Sequence, residues 1–445
     1  MKNDIILKTY SFNFKCNDIT DDNWNWFLNV INKWGDPIVD IRSESKGTLD
    51  LQLNSESVDK VELLNMLNSI LFKSTDNKHI ISKNAGVELF TDKKSRELPI
   101  NLTKDITISC GYVFRISVIL SNENFYPWYY ENFIELVLNP WTIKANYIVN
   151  YKDILEELIF GTDMINSDED IIAYIRNKID EGYYAILLYD EYYIPNKNCY
   201  MKRHFVHEVL VYGYDDFECT MQTISLYGYQ GYLKVSIDYT IFNEAYIKGR
   251  LFNNNNLLSK RIVILLKKKD VDIYEFNLKK YITSLDNYIN SVNRLALENP
   301  EAYNTLNEHQ KQTRRYGLEI SDVIINYLNH KYEDSRDVHY LTFLSIDEHK
   351  KCIYRGLNYI KSNYLNFVDF DFSLRQYNDI VQDIDLLKRK YIKQSIKENK
   401  DGIVEDQRFI QYAITTLKSA KQREWAILSQ VITELKNNCL SQNIM

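Results

Sequence analysis

One histidine of this sequence stands where a general base would work. His207 follows the loop EYYIPNKNCYMKRHF and opens the apolar run VHEVLVYGYDD, which reads as a strand. By the two-residue period of a strand, His207, Val209, Val211 and Gly213 share one face. A strand is rigid, and a rigid element can hold an imidazole where it takes a proton from a thiol on a facing helix. The blander reading of the same residues is a histidine satisfied by local hydrogen bonds at a strand end.

The other reactive side chains give weaker patterns. Six cysteines, Cys16, Cys110, Cys199, Cys219, Cys352 and Cys439, include no CxxC pair and do not form a disulfide framework in so long a chain. Ser57 in LQLNSESVDKVELL resembles the serine that carries phosphopantetheine in acyl carrier proteins, but Glu56 precedes it and the flanking runs read as strands, so a plain helix N-cap is the better account. His339, Glu348 and His349 lack metal-ligand spacing, and Glu348 and His349 read as side chains that pin helices by hydrogen bonds. Lys202 to His204 would suit a phosphate or a phosphopantetheine arm, or form a solvated loop. No glycine loop of the phosphate-cradling kind occurs among the 13 glycines.

The elements that must position these residues change character along the chain. Residues 1–98 read as a small α/β domain: a β-rich run Ile5–Phe14, a helix Asn23–Lys33 ended by Gly35 and Pro37, two strand-like runs from Ile38 to Leu53 broken at Gly47, and a helix Ser57–Leu71. The polar stretch TDKKSRELP then reads as a linker. Residues 99–270 mix strands and helices. The run YVFRISVIL, Tyr112–Leu120, reads as a buried strand. A helix starts near Pro127, since proline suits the first helical turn, and Pro140 ends it. Ser167 and Asp168 cap a further helix that Gly182 closes, and the strands YYAILLYD, HEVLVYGYDD, CTMQTISLYGYQGYLKVSI and RIVILLKKK follow. Residues 271–445 are amphipathic helix throughout.

Composition bounds the function. A chain of 445 residues holds several domains, and 45% apolar residues supply their cores. A net charge of −7 gives no reason to expect a nucleic-acid partner, which would call for a basic face. The 35 tyrosines, beside abundant Asn, Ile and Lys, reflect a base-composition bias more than a stacking surface. The first residues lack the apolar core of a secretion signal, and no run of about 18 apolar residues would span a membrane. The expectation is a cytoplasmic protein with reduced thiols.

The segment DEYYIPNKNCYMKRHFVHEVLVYGYDD resembles the central motif of the butirosin biosynthesis protein H N-terminal-like family. Tyr316-Gly317-Leu318-Glu319, Arg336-Asp337-Val338-His339, Glu348-His349-Lys350 and YPWYYENFIEL resemble further stretches of its members, so the likeness runs from about Leu98 to the C-terminus. It implies a papain-like fold akin to bacteriocin-processing cysteine peptidases. It also implies transfer of an acyl group from a carrier protein to an amine, with His207 as catalytic base.

The resemblance further implies a cysteine nucleophile at the N-terminus of the first domain helix, where the helix dipole lowers a thiol pKa. With that helix placed at Tyr126–Tyr129, no cysteine lies on it. Cys110 falls before the expected strand, whose nine residues would carry it about 30 Å to the wrong end. Ser121 stands at the right end but reads as a turn or cap residue. In the place of the third catalytic member, SLYGYQGY offers only the amide of Gln230, and Asp215 and Asp216 read as a turn.

The sequence therefore predicts an α+β protein: a small N-terminal α/β domain (1–98), a papain-like domain (99–270) and an all-helical domain (271–445). It predicts a cysteine-less pocket bounded by Trp128, Tyr129, His207 and Gln230, with no metal and no cofactor beyond a phosphopantetheine-bound substrate. The function expected is acyltransferase or thioesterase-like chemistry in specialised-metabolite biosynthesis. The partners expected are an acyl or peptidyl carrier protein and a small amine or acyl substrate, with neither nucleic acid nor membrane. The alternative is a non-catalytic binding or scaffold protein on a degenerate papain-like fold.

Overall fold

The computed structural model describes residues 7–13, 38–42, 48–54, 94–139, 143–161, 171–252, 261–298, 300–330, 340–364, 370–398 and 407–441. The chain divides into two compact units, Met1–Lys94 and Ser95–Met445. In the first, β1 (Leu7–Asn13), β2 (Ile38–Arg42) and β3 (Thr48–Asn54) form an antiparallel sheet of order β1-β3-β2. These are the strand runs expected from the sequence. The helices expected at 23–33 and 57–71, and Ser57 with them, lie outside the described residues.

The second unit is built on a seven-stranded antiparallel sheet. Its strands are β4 (Ser95–Glu97), β7 (Leu155–Gly161), β8 (Tyr184–Asp190), β9 (Val206–Asp215), β10 (Thr220–Leu226), β11 (Tyr232–Asp238) and β12 (Arg261–Lys268). The order is β11-β10-β9-β8-β12-β7, with β4 added against the far end of β9. The end of the expected linker is thus a strand. β5 (Leu136–Asn139) and β6 (Lys144–Tyr147) pair with a two-residue strand at Arg315–Tyr316 in a smaller sheet.

Helix α1 (Cys110–Ile119) lies against β9, β10 and β12. This is the segment the sequence reads as a strand. It buries Val113, Phe114, Ile116, Ser117, Val118 and Ile119, so it has no polar face to reveal a helical period. A short apolar run of this kind reads equally as strand or buried helix. Helix α2 (Tyr126–Asn132) starts with its proline in the first turn as expected but stops at Phe133. The residues after it leave the helix to pair as β5, so Pro140 is not what ends it.

Helices α3 (Ile171–Asp180) and α4 (Tyr239–Phe252) also pack on the sheet, α3 on β8 and β9 and α4 mainly on β8. Gly182, at φ 87°, ends the turn after α3, as a glycine beyond a helix C-terminus does.

The helical region comprises α5 (Leu278–Ile289), three short helices between residues 295 and 313, α6 (Glu319–Asn329), α7 (Tyr340–Asn363), α8 (Phe370–Glu398) and α9 (Gln407–Ser441). It belongs to the same compact unit as the large sheet. Helix α7 is its centre and buries four consecutive polar residues, Asp347, Glu348, His349 and Lys350. Lys350 Nζ lies 2.7 Å from Glu424 Oε2 on α9, and Tyr377 of α8 donates to the same carboxylate at 2.7 Å. In the Tyr316–Glu319 motif, Gly317 has φ 52°, and a Cβ there would meet the Tyr288 carbonyl at 2.1 Å, so only glycine lets the chain pass.

Among the described residues, no helix is long and apolar enough to cross a membrane.

Candidate functional site

Cys110 is the first residue of α1, with Ser109 at the N-cap position. The expected strand had put this thiol at the wrong end of its element. A helix puts it at the N-terminal end, the place expected for a cysteine on α2. Helix α1 then lies against β9, and the Cys110 thiol donates to Glu208 Oε2 at 2.5 Å. Both residues are half-buried.

Two effects oppose each other at this sulfur. The helix N-terminus, the Gly111 N–H and the Ser109 hydroxyl favour the thiolate. Burial and the Glu208 carboxylate favour the thiol, and they win: the pKa is pushed up to about 12. The neutral thiol is therefore the form that rests at pH 7.

The neighbours of the pair come from four parts of the chain. Lys144 on β6 is within electrostatic reach of Cys110 and of Glu348 on α7; burial lowers its pKa and the two acids oppose that shift. Tyr232, which opens β11, is buried, senses Cys110 and Glu208, and packs edge-on against Phe114 of α1 at 6.1 Å. Arg115 of α1 holds Glu157 by two hydrogen bonds of 3.0 and 2.6 Å and returns 3.0 Å to the Gly111 carbonyl, bracing the first turn. Glu348 accepts from the Thr107 N–H at 2.7 Å and its hydroxyl at 2.6 Å, three residues before the thiol.

His207 opens interior strand β9, as the sequence predicts, but its ring turns elsewhere. Adjacent strand residues point to opposite faces, so Glu208 meets Cys110 and His207 does not share that face. His207 Nδ1 lies 3.3 Å from Glu191 Oε1, and its ring packs beside Phe205 with centroids 5.5 Å apart. Burial alone would raise Glu191, but His207 and Lys197 together hold it below the usual carboxylate range. Lys197 is buried, 3.0 Å from Glu191 Oε1, 3.1 Å from Ser225 Oγ and 2.5 Å from the Leu226 carbonyl. This group ties the 191–205 loop to β10. The predicted common face of His207 to Gly213 is broken as well, because the β9–β10 register shifts between Gln222 and Thr223.

The predicted pocket residues do not come together. Trp128 and Tyr129 are core side chains of α2, 1% and 0% exposed. Trp128 packs on Phe133 and Tyr151, and the Tyr129 hydroxyl lies 2.9 Å from the Cys352 sulfur. Gln230 is exposed on the 3₁₀ turn between β10 and β11. Helices α1 and α3 are the ones that pack chiefly on β9, so α2 does not supply the floor expected of it.

Several smaller expectations find a place. Ser121 donates to the Val118 carbonyl at 2.7 Å at the end of α1, as a cap residue does. Asp215 accepts from the N–H groups of Phe217 and Glu218 and makes the turn. His349 is buried and uncharged, its pKa well below the usual value through burial, and its Nε2 donates to the Ile134 carbonyl at 2.6 Å. His204 Nδ1 lies 2.6 Å from Asp190, folding part of the Lys202–His204 cluster back on its own loop. Arg336 to His339 lie outside the described residues.

Glu208 is the residue the sequence reading missed. Its signal was a charged side chain inside an apolar strand run, one position beyond the histidine. Among the described residues no group of three or more His, Cys, Asp and Glu side chains is arranged to hold a metal ion. No protein-family model and no curated protein matches the chain.

Proposed function

We propose that the second unit is a papain-like acyl-transfer scaffold with Cys110 as nucleophile and Glu208 as proton acceptor. Its substrate on this reading is an acyl or peptidyl group held as a thioester on the phosphopantetheine arm of a carrier protein. The supporting observation is the 2.5 Å contact between a thiol at a helix N-terminus and a carboxylate on an interior strand. A carboxylate so placed takes the thiol proton as sulfur attacks the thioester carbonyl and returns it to the departing pantetheine thiol. An incoming amine or water then attacks the acyl-cysteine and regenerates the thiol. Specialised-metabolite biosynthesis is the setting that the resemblance to the butirosin family suggests.

The high pKa of Cys110 favours a second reading. A thiol held neutral by burial and a carboxylate belongs equally to a binding protein that keeps the fold and has lost the chemistry.

An acetyl thioester of N-acetylcysteamine separates the two. On the catalytic reading, the intact mass of the native protein gains one acetyl group, and Cys110→Ala gains none. An unmodified native protein, or equal labelling of the variant, would leave only the binding reading.

A further inference from the structure

Glu348 sits on α7, in the helical region, and is 4% exposed. Its Oε1 takes both Thr107 hydrogen bonds, and the Ile108 N–H also serves the carboxyl. Among the described residues Oε2 has no hydrogen-bond partner. A buried carboxyl with one oxygen committed to a turn and the other unmatched is costly to keep for fold stability alone. The turn it holds, Thr107-Ile108-Ser109, leads directly into Cys110.

We propose that Glu348 is a positioning residue for Cys110: it fixes the turn from which the thiol-bearing helix starts, and its charge state sets how readily that thiol ionises. The proposal rests on Cys110 being the reactive group of the acyl-transfer reading. The residues facing Glu348 make its charge matter. Lys144 and Tyr147 approach from β6, Tyr232 from β11, and Asp347, Tyr340 and Cys352 belong to its own helix. Lys144 is the single cation of this set and is shared with Cys110. Burial pushes the Glu348 carboxyl up to about 8, against the pull of the Thr107 and Ile108 hydrogen bonds. Below that pH the carboxyl is neutral and Lys144 is left to Cys110. Above it a second negative charge competes for the same lysine, and the thiolate is disfavoured.

The test is the rate of Cys110 alkylation by iodoacetamide from pH 6 to 10, read by mass spectrometry of the Cys110 peptide in the full chain. In the native protein the rate rises with pH and bends downward near pH 8. In Glu348→Gln the bend disappears, and the two rates separate by about tenfold between pH 7 and 9.5, the change that one unit of thiol pKa makes in the thiolate fraction. Thr107→Val removes one bond that favours the carboxylate, so the bend moves to higher pH. A purely structural role would shift melting temperature and leave the bend in place. Coincident native and Glu348→Gln profiles, or a bend unmoved in Thr107→Val, would overturn the role of Glu348 alone. A native thiol that stays unlabelled to pH 10 overturns the acyl-transfer reading and this one with it. Thr107→Val keeps the test decisive where Glu348→Gln fails to fold.

Discussion

The thiol of Cys110 and the carboxylate of Glu208, 98 residues apart in sequence, meet at 2.5 Å where α1 abuts β9. Carboxylate and thiol here oppose each other's ionisation, and the consequence can be measured in both directions.

Glu208→Gln removes the negative charge that helps raise the thiol. Iodoacetamide should label Cys110 of this variant about tenfold faster at pH 8, since a unit of pKa is a tenfold change in thiolate. Acyl transfer should fall in the same variant by about 10²–10⁴, the usual cost of a lost general base. Parallel changes in the two rates would show that Glu208 tunes the sulfur without taking its proton.

His207→Ala is expected to leave both rates within about tenfold of native, because the ring pairs with Glu191 on the other face of β9. A loss of 10² or more in acyl transfer at unchanged melting temperature would restore His207 to the catalytic role that the sequence suggests for it.

Lys197→Met should be far more damaging to the fold. It leaves Glu191 buried without the lysine that lies 3.0 Å away, and breaking a buried pair from one side costs about 3–5 kcal/mol. Urea unfolding monitored by circular dichroism would measure it, and a loss under about 1 kcal/mol would mean that the loop relaxes to admit water.

What could be read from the chain depended on how far apart the interacting residues lie. The 220–238 strands, the glycine stop after α3 and the strand opened by His207 are set by neighbours within about ten residues, and all were legible. The run Tyr112–Leu120 was not, because a helix buried on nearly every side loses the polar stripe that identifies it. That single substitution of strand for helix moved Cys110 from one end of its element to the other, and the reading of a cysteine-less site followed from it. Glu208 carries no local signal of its role beyond its charge, because strand alternation sends it to the opposite surface from the neighbouring histidine. The bond from Thr107 to Glu348 spans 241 residues, and no local pattern announces it.

Stability should depend on pH through Glu348. In the fold its carboxyl stays neutral up to about 8, whereas in the unfolded chain it ionises above its ordinary 4.5. Unfolding therefore releases a proton between those limits, and this contribution, full below pH 4.5, is lost as pH rises to 8, by at most about 1.4 kcal/mol per unit. Glutamine has no proton to release. The urea midpoint of Glu348→Gln should gain on that of the native protein across this window and stop gaining above it. A constant difference from pH 4.5 to 9 would place the Glu348 titration outside the window.

Removing residues 271–445 should yield insoluble protein. The cut strips the Ile134 carbonyl of His349, Thr107 of Glu348, and Glu131 of its Tyr274 and Asn277 donors, and it uncovers the apolar faces beneath them. A soluble, monomeric 1–270 fragment by size-exclusion chromatography would show that the helices form an independent module.

The long reach of Glu348 also has a meaning in time. A ribosome adds about 5–20 residues each second, so roughly 10–50 s pass between synthesis of Thr107 and arrival of the carboxyl that secures it, 241 residues later. Through that interval the nascent chain carries its cysteine on an unsecured turn. A chain that stops early never completes the bond, and the turn before its thiol stays unanchored. Only a polypeptide finished as far as α7 has the means to set that sulfur in place.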